Sequence, residues 1–349
     1  MRLKLFIFLL FFAHSVFSQI GGRYTYEFLG NPQSARLTAL GGSLIAVTDG
    51  DVTLAASNPA LLDSNSNNYL SFNHSFAFAD VNHGYIGFGK SINKWGIHTH
   101  VGVNYISYGD FVASDIYGND NGTFSGNETA IILGASKQVN ERITLGANLK
   151  GIFGTLESYN SFGIAADFGL LYERPDSDFK IAFVAKNIGM ELDAYGNETG
   201  QAPLDIQIGI SQRLEHLPFR FSIIMHQLQK WGVRYDDPDA AVESDLFGEE
   251  INQSSAFQNG VDNFFRHFIF NGEFLLGRTE GFKLRVGYNH LRRMELSLDN
   301  FRSLAGFSGG FGIRIKGFNI DYGIGYHHIA GATNHISVST NLNRFLDKF

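Results

Sequence analysis

Residues 95–105 read W-G-I-H-T-H-V-G-V-N-Y, and their parity carries the fold. Trp95, Ile97, Val101, Val103 and Tyr105 share one parity, broken only by Thr99, while Gly96, His98, His100, Gly102 and Asn104 share the other. Successive strand side chains point to opposite faces, so the stretch predicts a strand with one apolar and one polar side. The same split recurs along the chain. Leu204, Ile206, Ile208 and Ile210 oppose Asp205, Gln207, Gly209 and Ser211; Phe282, Leu284, Val286 and Tyr288 oppose Lys283, Arg285, Gly287 and Asn289. Near the C-terminus, Phe318, Ile320, Tyr322, Ile324 and Tyr326 oppose Asn319, Asp321, Gly323, Gly325 and His327. Charge falls on the polar side of these segments.

From Tyr69 to Phe345 the pattern repeats about fourteen times, in segments of about ten residues or more. Soluble sandwich strands average about five or six residues, so the length points to a sheet that crosses a bilayer at a tilt. Aromatics gather toward segment ends, at Tyr69, Trp95, Tyr105, Tyr108, Tyr172, Tyr288 and Tyr326, as interfacial girdles do. Connections alternate in length. Short ones are predicted at Asn93-Lys94, Val139–Glu141, Pro175–Ser177, Glu215–Leu217, Arg278–Glu280 and Lys316-Gly317, and long ones at Gly109–Asn127, Gly189–Ala202, Lys230–Asn263 and Leu291–Ser303. An all-β transmembrane antiparallel barrel with periplasmic turns and external loops accounts for this order.

The N-terminus predicts export. Arg2 and Lys4 precede an apolar run from Leu5 to Ala13, and Val16-Phe17-Ser18 suits a signal peptidase, so residues 1–18 read as a signal peptide. Residues 19–67 read as an N-terminal periplasmic or plug segment, and residues 68–349 as the barrel. Ser34 to Leu62 is rich in Ala, Gly and Leu with little charge, too apolar to stay solvated, and a barrel of this size leaves lumen to fill. The expected location is the outer membrane of a Gram-negative bacterium.

Composition narrows the chemistry. The chain holds 40 glycines, 33 phenylalanines, 6 prolines and no cysteine, which removes thiol catalysis and cysteine metal sites. A net charge of −7 without long basic runs gives no reason to expect nucleic acid. Gly84-Tyr85-Ile86-Gly87-Phe88-Gly89-Lys90-Ser91 spells a P-loop, but it lies in an alternating segment with no helix to follow, so Lys90 reads as an inward strand lysine. His98 and His100 share a face without a readable third ligand, and Asp49-Gly50-Asp51 resembles part of a calcium loop without its distal Glu. No catalytic, cofactor or metal residues are assigned, and the chain reads as non-enzymatic. Lys150, Lys180, Lys186, Lys283, Arg285, Arg314 and Lys316 against Asp167, Asp205, Glu273 and Asp321 predict a charge-paired lumen.

Ser34-Ala35-Arg36, Gly41-Gly42 and Asn58-Pro59-Ala60-Leu61-Leu62, ahead of the strand pattern, resemble the FadL-like barrels and, within them, the PorV/PorQ family of the type IX secretion system. Residues 217–222 (LPFRFS), 226–231 (HQLQKW) and 235–238 (YDDP) resemble the PorQ branch of that family. The resemblance implies an outer-membrane subunit of a secretion attachment complex, embedded in outer-membrane lipid and tethering a PorZ-like surface subunit beside sortase and shuttle subunits. The alternatives are a FadL-type transporter of hydrophobic small molecules and a PorV-like cargo shuttle. Within the longest external segment, Trp231, Tyr235, Asp236, Asp237, Phe247 and Phe257 are the expected partner-binding residues, because aromatic anchors dominate interface energy.

Overall fold

A computed structural model describes residues 24–196, 198–234, 256–296, 304–328 and 331–346. The signal peptide lies outside the described residues, as do Tyr235, Asp236, Asp237 and Phe247. Fourteen antiparallel strands pair with their chain neighbours, and the first pairs with the last, closing a barrel. They are β1 (Tyr69–Phe76), β2 (Asn82–Ile92), β3 (Ile97–Ser114), β4 (Asp120–Asn140), β5 (Ile143–Leu156), β6 (Tyr159–Glu173) and β7 (Lys180–Asp193). The second half comprises β8 (Asp205–Arg213), β9 (Phe219–Met225), β10 (Phe268–Leu276), β11 (Phe282–Asn289), β12 (Phe307–Ile315), β13 (Phe318–His328) and β14 (Gly331–Asn341). All six predicted short connections fall between paired strands at one end of the barrel.

Strand β5 shows why the sheet closes as it does. Leu145, Leu149 and Phe153 are exposed on its outer side, while Thr144, Asn148, Lys150 and Ile152 are buried on its inner side. Leu133, Phe168, Phe183, Phe274 and Val338 continue the exposed apolar wall around the circumference. Exposed phenylalanine and leucine in such number belong against lipid, where closure leaves no unpaired sheet edge.

Several expectations change. Gly109–Asn127 is a paired hairpin: Phe111 faces Phe124 and Val112 faces Thr123, leaving only residues 115–119 outside strands. The short lumenal helix α1 spans Ala35–Ala39, and helices shape two of the other three long connections: α2 spans Ala256–Arg266 at the end of the Lys230–Asn263 region, and α3 spans His290–Glu295, whereas Gly189–Ala202 begins inside β7. Trp95 sits in a single 3-10 turn, Leu204 precedes β8, and Lys316 occupies a left-handed turn position. Lys90 shares parity with the outward Ile86 and Phe88 and donates to Asn68 at 2.7 Å, so it is not a lumen lysine. The P-loop look-alike lies wholly within β2.

Residues 24–67 touch inward side chains around the ring. Ala35 donates its N–H to Ser337 Oγ at 2.8 Å, Ser43 Oγ donates to Gln207 Oε1 at 2.8 Å, and Ser136 Oγ and Asn148 Nδ2 donate to the carbonyls of Leu62 and Ala55 at 2.9 and 3.0 Å. Local sequence sets the path. Ser34 caps α1 by accepting from the Leu37 N–H, and Asn58 caps the Pro59–Leu61 turn with proline at the position that needs no N–H donor. Leu37, Leu40, Leu44, Ile45, Leu54 and Leu61 are buried against inward Leu171, Val184, Ile224 and Ile269. Each such side chain contributes roughly 1.5–3 kcal/mol of burial. Inward apolar residues therefore break the polar-inside pattern where the segment passes.

Close approach demands glycine at two points. A Cβ on Gly323 would lie 2.1 Å from the Ala35 carbonyl oxygen, and one on Gly146 would lie 2.4 Å from the Ala60 nitrogen. Gly323→Val should therefore leave a barrel that still shifts its gel mobility on boiling, yet make residues 35–66 cleavable by added protease. Unchanged protease resistance in a correctly inserted variant would show that this contact is not needed.

Candidate functional site

Arg36 is the centre of charge in the lumen. Helix α1 carries it to Glu273 of β10, where Nε meets Oε1 at 3.1 Å, and its other nitrogens reach Asp49 at 2.7 and 3.0 Å and Asp51 at 3.2 Å. Glu273, almost fully buried, also receives Arg220 at 2.6 Å and Arg285 at 3.0 Å, and Arg285 continues to Asp321 at 2.5 Å. Three guanidiniums thus face four carboxylates. Buried pairs of this kind roughly break even against desolvation, but removing one partner strands the others at a cost of about 3–5 kcal/mol. The Asp49-Gly50-Asp51 turn is accounted for by this clamp. Among the described residues no group of three or more His, Asp or Glu is placed to hold a metal.

The lumenal charges resolve unevenly. Lys150 pairs with Asp167 at 2.8 Å, and Lys180 with Glu173. Arg314 donates to Asn319 at 2.9 Å, while Lys186 has no hydrogen bond or ion pair among the described residues. Two inward histidines hold the segment: His83 shares a hydrogen bond with the Pro32 carbonyl at 3.0 Å, and His335 with Thr38 Oγ1 at 2.9 Å.

Two cavities flank this clamp. One, of about 560 Å³, opens at the end bearing the short turns and is lined by Arg36, Asp49, Lys283, Asp321, Asn343 and Arg344. The other, of about 450 Å³, lies at the opposite end, between the loop ahead of β8, the residues after β9 and helix α3, with Gly41, Gly42 and Ser43 against it. Both are walled by charged and amide side chains.

The expected partner-binding residues that are described lie outside the lumen. Trp231 stacks on His267 at 5.4 Å and is exposed, and its carbonyl accepts from Asn263 of α2 at 2.6 Å. Phe257 is 80% exposed on the same helix, beside exposed Val261 and Phe265. A second surface lies in Gly109–Asn127, expected as a long external connection and found as a paired hairpin. Beyond Ser107 and Gly126, strands β3 and β4 pair only with each other, forming an arm with Phe111 stacked on Phe124 and Ile116 and Tyr117 exposed at its tip.

No protein-family model and no curated protein matches the chain. Among solved structures, the toluene transporter TodX of Pseudomonas putida aligns with a TM-score of 0.51 at 11% identity, covering 88% of this chain and 96% of that one. The deltaS2 mutant of the TodX monoaromatic hydrocarbon channel gives a TM-score of 0.51 at 11% identity, with 89% and 97% covered. A Pseudomonas aeruginosa FadL homologue covers 92% of this chain and 100% of its own at 9% identity, with a TM-score of 0.48. The structural neighbours are FadL-family outer-membrane barrels, and at these identities the shared property is the fold.

Burial alone would raise the Asp49 carboxyl, but Arg36 and then Arg220 outweigh it and hold it well below the usual carboxylate range. A depressed folded value means that its stabilisation is complete above about pH 4, the unfolded value, and is lost as pH falls through the folded value. The part of the hydrogen-exchange protection of residues 35–66 that Asp49→Asn removes should stay flat from neutrality to about pH 4 and decline below it. Glu273→Ala should remove about 3–5 kcal/mol of the segment's protection at pH 7. Protection within about 0.5 kcal/mol of wild type in the variant would show that the clamp does not hold the segment.

Proposed function

We propose that this chain is a non-enzymatic barrel of the Gram-negative outer membrane that passes small molecules across it, with residues 24–67 as a displaceable plug. The observation that carries this is a lumen filled by a separate stretch of chain, held by hydrogen bonds and one charged clamp, with a cavity on either side. A wall-anchored obstruction would come from the strands themselves. This one is joined to the wall through side chains and, after Asn68, through the chain itself. The FadL-like fold supports transport of this kind. TodX is described as a toluene transporter; in this chain the charged and amide walls of both cavities favour polar cargo over the hydrophobic cargo expected for that architecture.

Replacing residues 35–66 by a short Gly/Ser linker should preserve the heat-modifiable barrel, since its backbone bonds lie within the strand ring. Swelling of proteoliposomes in small sugars should rise severalfold over wild type. Equal swelling with both proteins would remove the plug from the transport path.

The β3–β4 arm favours a second function. Its exposed Ile116 and Tyr117, with Trp231 and Phe257, offer apolar anchors on the outer side, as the type IX attachment role and its PorZ-like surface partner would require. Joining Ser107 to Gly126 through a tight turn should keep swelling unchanged and abolish co-purification of a surface protein; retained co-purification would exclude the arm as the tether.

A further inference from the structure

The external cavity contains cationic groups that the lumenal clamp does not neutralise. Strand β7 carries a bulge: its register with β6 steps from Phe168↔Ala185 to Ala166↔Ile188, and Asn187 takes a positive φ of 58°. The extra residue turns two consecutive side chains, Lys186 and Asn187, inward, both more than nine-tenths buried. Bulges commonly re-aim side chains next to functional sites. Asn187 is consumed, accepting from Lys150 at 2.6 Å and donating to the Pro203 carbonyl at 3.1 Å. Lys186 faces the cavity without a hydrogen bond or ion pair among the described residues; Asp205, its register partner on β8, instead accepts from the Gln227 N–H at 2.8 Å and Gln207 Nε2 at 2.5 Å.

Two further groups point the same way. Arg292 of α3 enters the cavity through the space left by Gly42, whose Cβ would lie 2.9 Å from Nη1. Among the described residues its guanidinium donates only to the Gly41 carbonyl, at 3.4 Å, and burial, weakly opposed by Glu295, pulls it down to about 10. His226, just past β9, lines the cavity while its buried Nε2 has no hydrogen-bond partner among the described residues. Lys186 and His226 Nε2, buried and unsatisfied, cost stability, and an anion accepting from both and from the partly exposed Arg292 would recover it.

We infer that this cavity, at about 450 Å³, binds a compact hydroxylated anion of the sugar phosphate or sugar acid class, its charged group between Lys186 and Arg292 and its hydroxyls against the polar wall that includes Asp205. The volume suits a monosaccharide derivative. Rim Glu27 and Glu295 and floor Asp205 disfavour a bare multivalent anion, since it would meet like charge without offering donors. The inference deepens the transport proposal by naming the solute, but binding is measured apart from flux, so the two fail separately.

The test is calorimetric titration of the full detergent-solubilised chain with glucose 6-phosphate, glucose and inorganic phosphate. Glucose 6-phosphate should bind at least tenfold more tightly than either other probe. Lys186→Met and Arg292→Met should each weaken it at least tenfold while retaining heat-modifiable mobility, Lys186→Arg should restore most of it, and Arg314→Gln in the opposite cavity should change nothing. No heat from glucose 6-phosphate with wild-type protein up to millimolar concentration overturns the inference, as does binding unaltered in both methionine variants. Binding without swelling-assay flux leaves the site standing and removes the transport proposal alone.

Discussion

Pairing of β1 with β14, from Tyr69↔Asn341 to Phe76↔Asn334, is the constraint from which the other features follow. In lipid an open sheet edge leaves N–H and C=O groups unsatisfied at several kcal/mol each, so a sheet with an apolar outer face must close. Fourteen strands close around more space than their inward side chains fill, particularly where those side chains are Gly, Ser and Asn. Residues 24–67 enter that space, and their leucines find the few inward apolar positions, Leu171, Val184 and Ile224 among them.

What fastens the segment differs from what fills the space. Apolar burial is non-directional and would tolerate a shifted segment, whereas Arg36 meeting Glu273 of β10 at 3.1 Å and Asp49 meeting Arg220 of β9 at 3.3 Å, with Asp49 and Asp51 holding the guanidinium from within the segment, admit one register. Glu273 joins Arg36 to Arg220 and Arg285, so the clamp links α1 to β9, β10, β11 and, through Asp321, β13. Energy near break-even with high geometric demand is what a displaceable element needs. Movement of Arg36 would leave Glu273 still paired with two wall arginines, so the wall need not unfold when the segment leaves.

The wall was legible because period-two alternation survives strand by strand, and so were the short turns, where Gly, Pro and Asn interrupt it. Three features defeated that parity. At Lys186 and Asn187 one inserted residue places neighbours on the same face, which no alternation count detects. In the β3–β4 arm the polar run Asn119 to Thr123 resembles a loop, yet the two strands satisfy each other beyond the rim. Helix α2 carries Phe257, Val261, Phe264 and Phe265 at helical spacing, a period that a count of strand alternation passes over. The lumenal charges were individually readable, but Arg36, Asp49 and Glu273 meet through a path set by caps and close glycines, and Lys90 was assigned the wrong face by its neighbours in the look-alike motif.

The central claim is that residues 24–67 are a reversible obstacle in a rigid ring. The chain has no cysteine, so Ala35→Cys with Ser337→Cys, placed where the Ala35 N–H meets Ser337 Oγ at 2.8 Å, introduces a lock without background. Single-channel current through the barrel should be absent when this pair is oxidised and should appear, in the same bilayer, on adding reductant. Equal currents before and after reduction, with the crosslink verified by mass, would contradict the account.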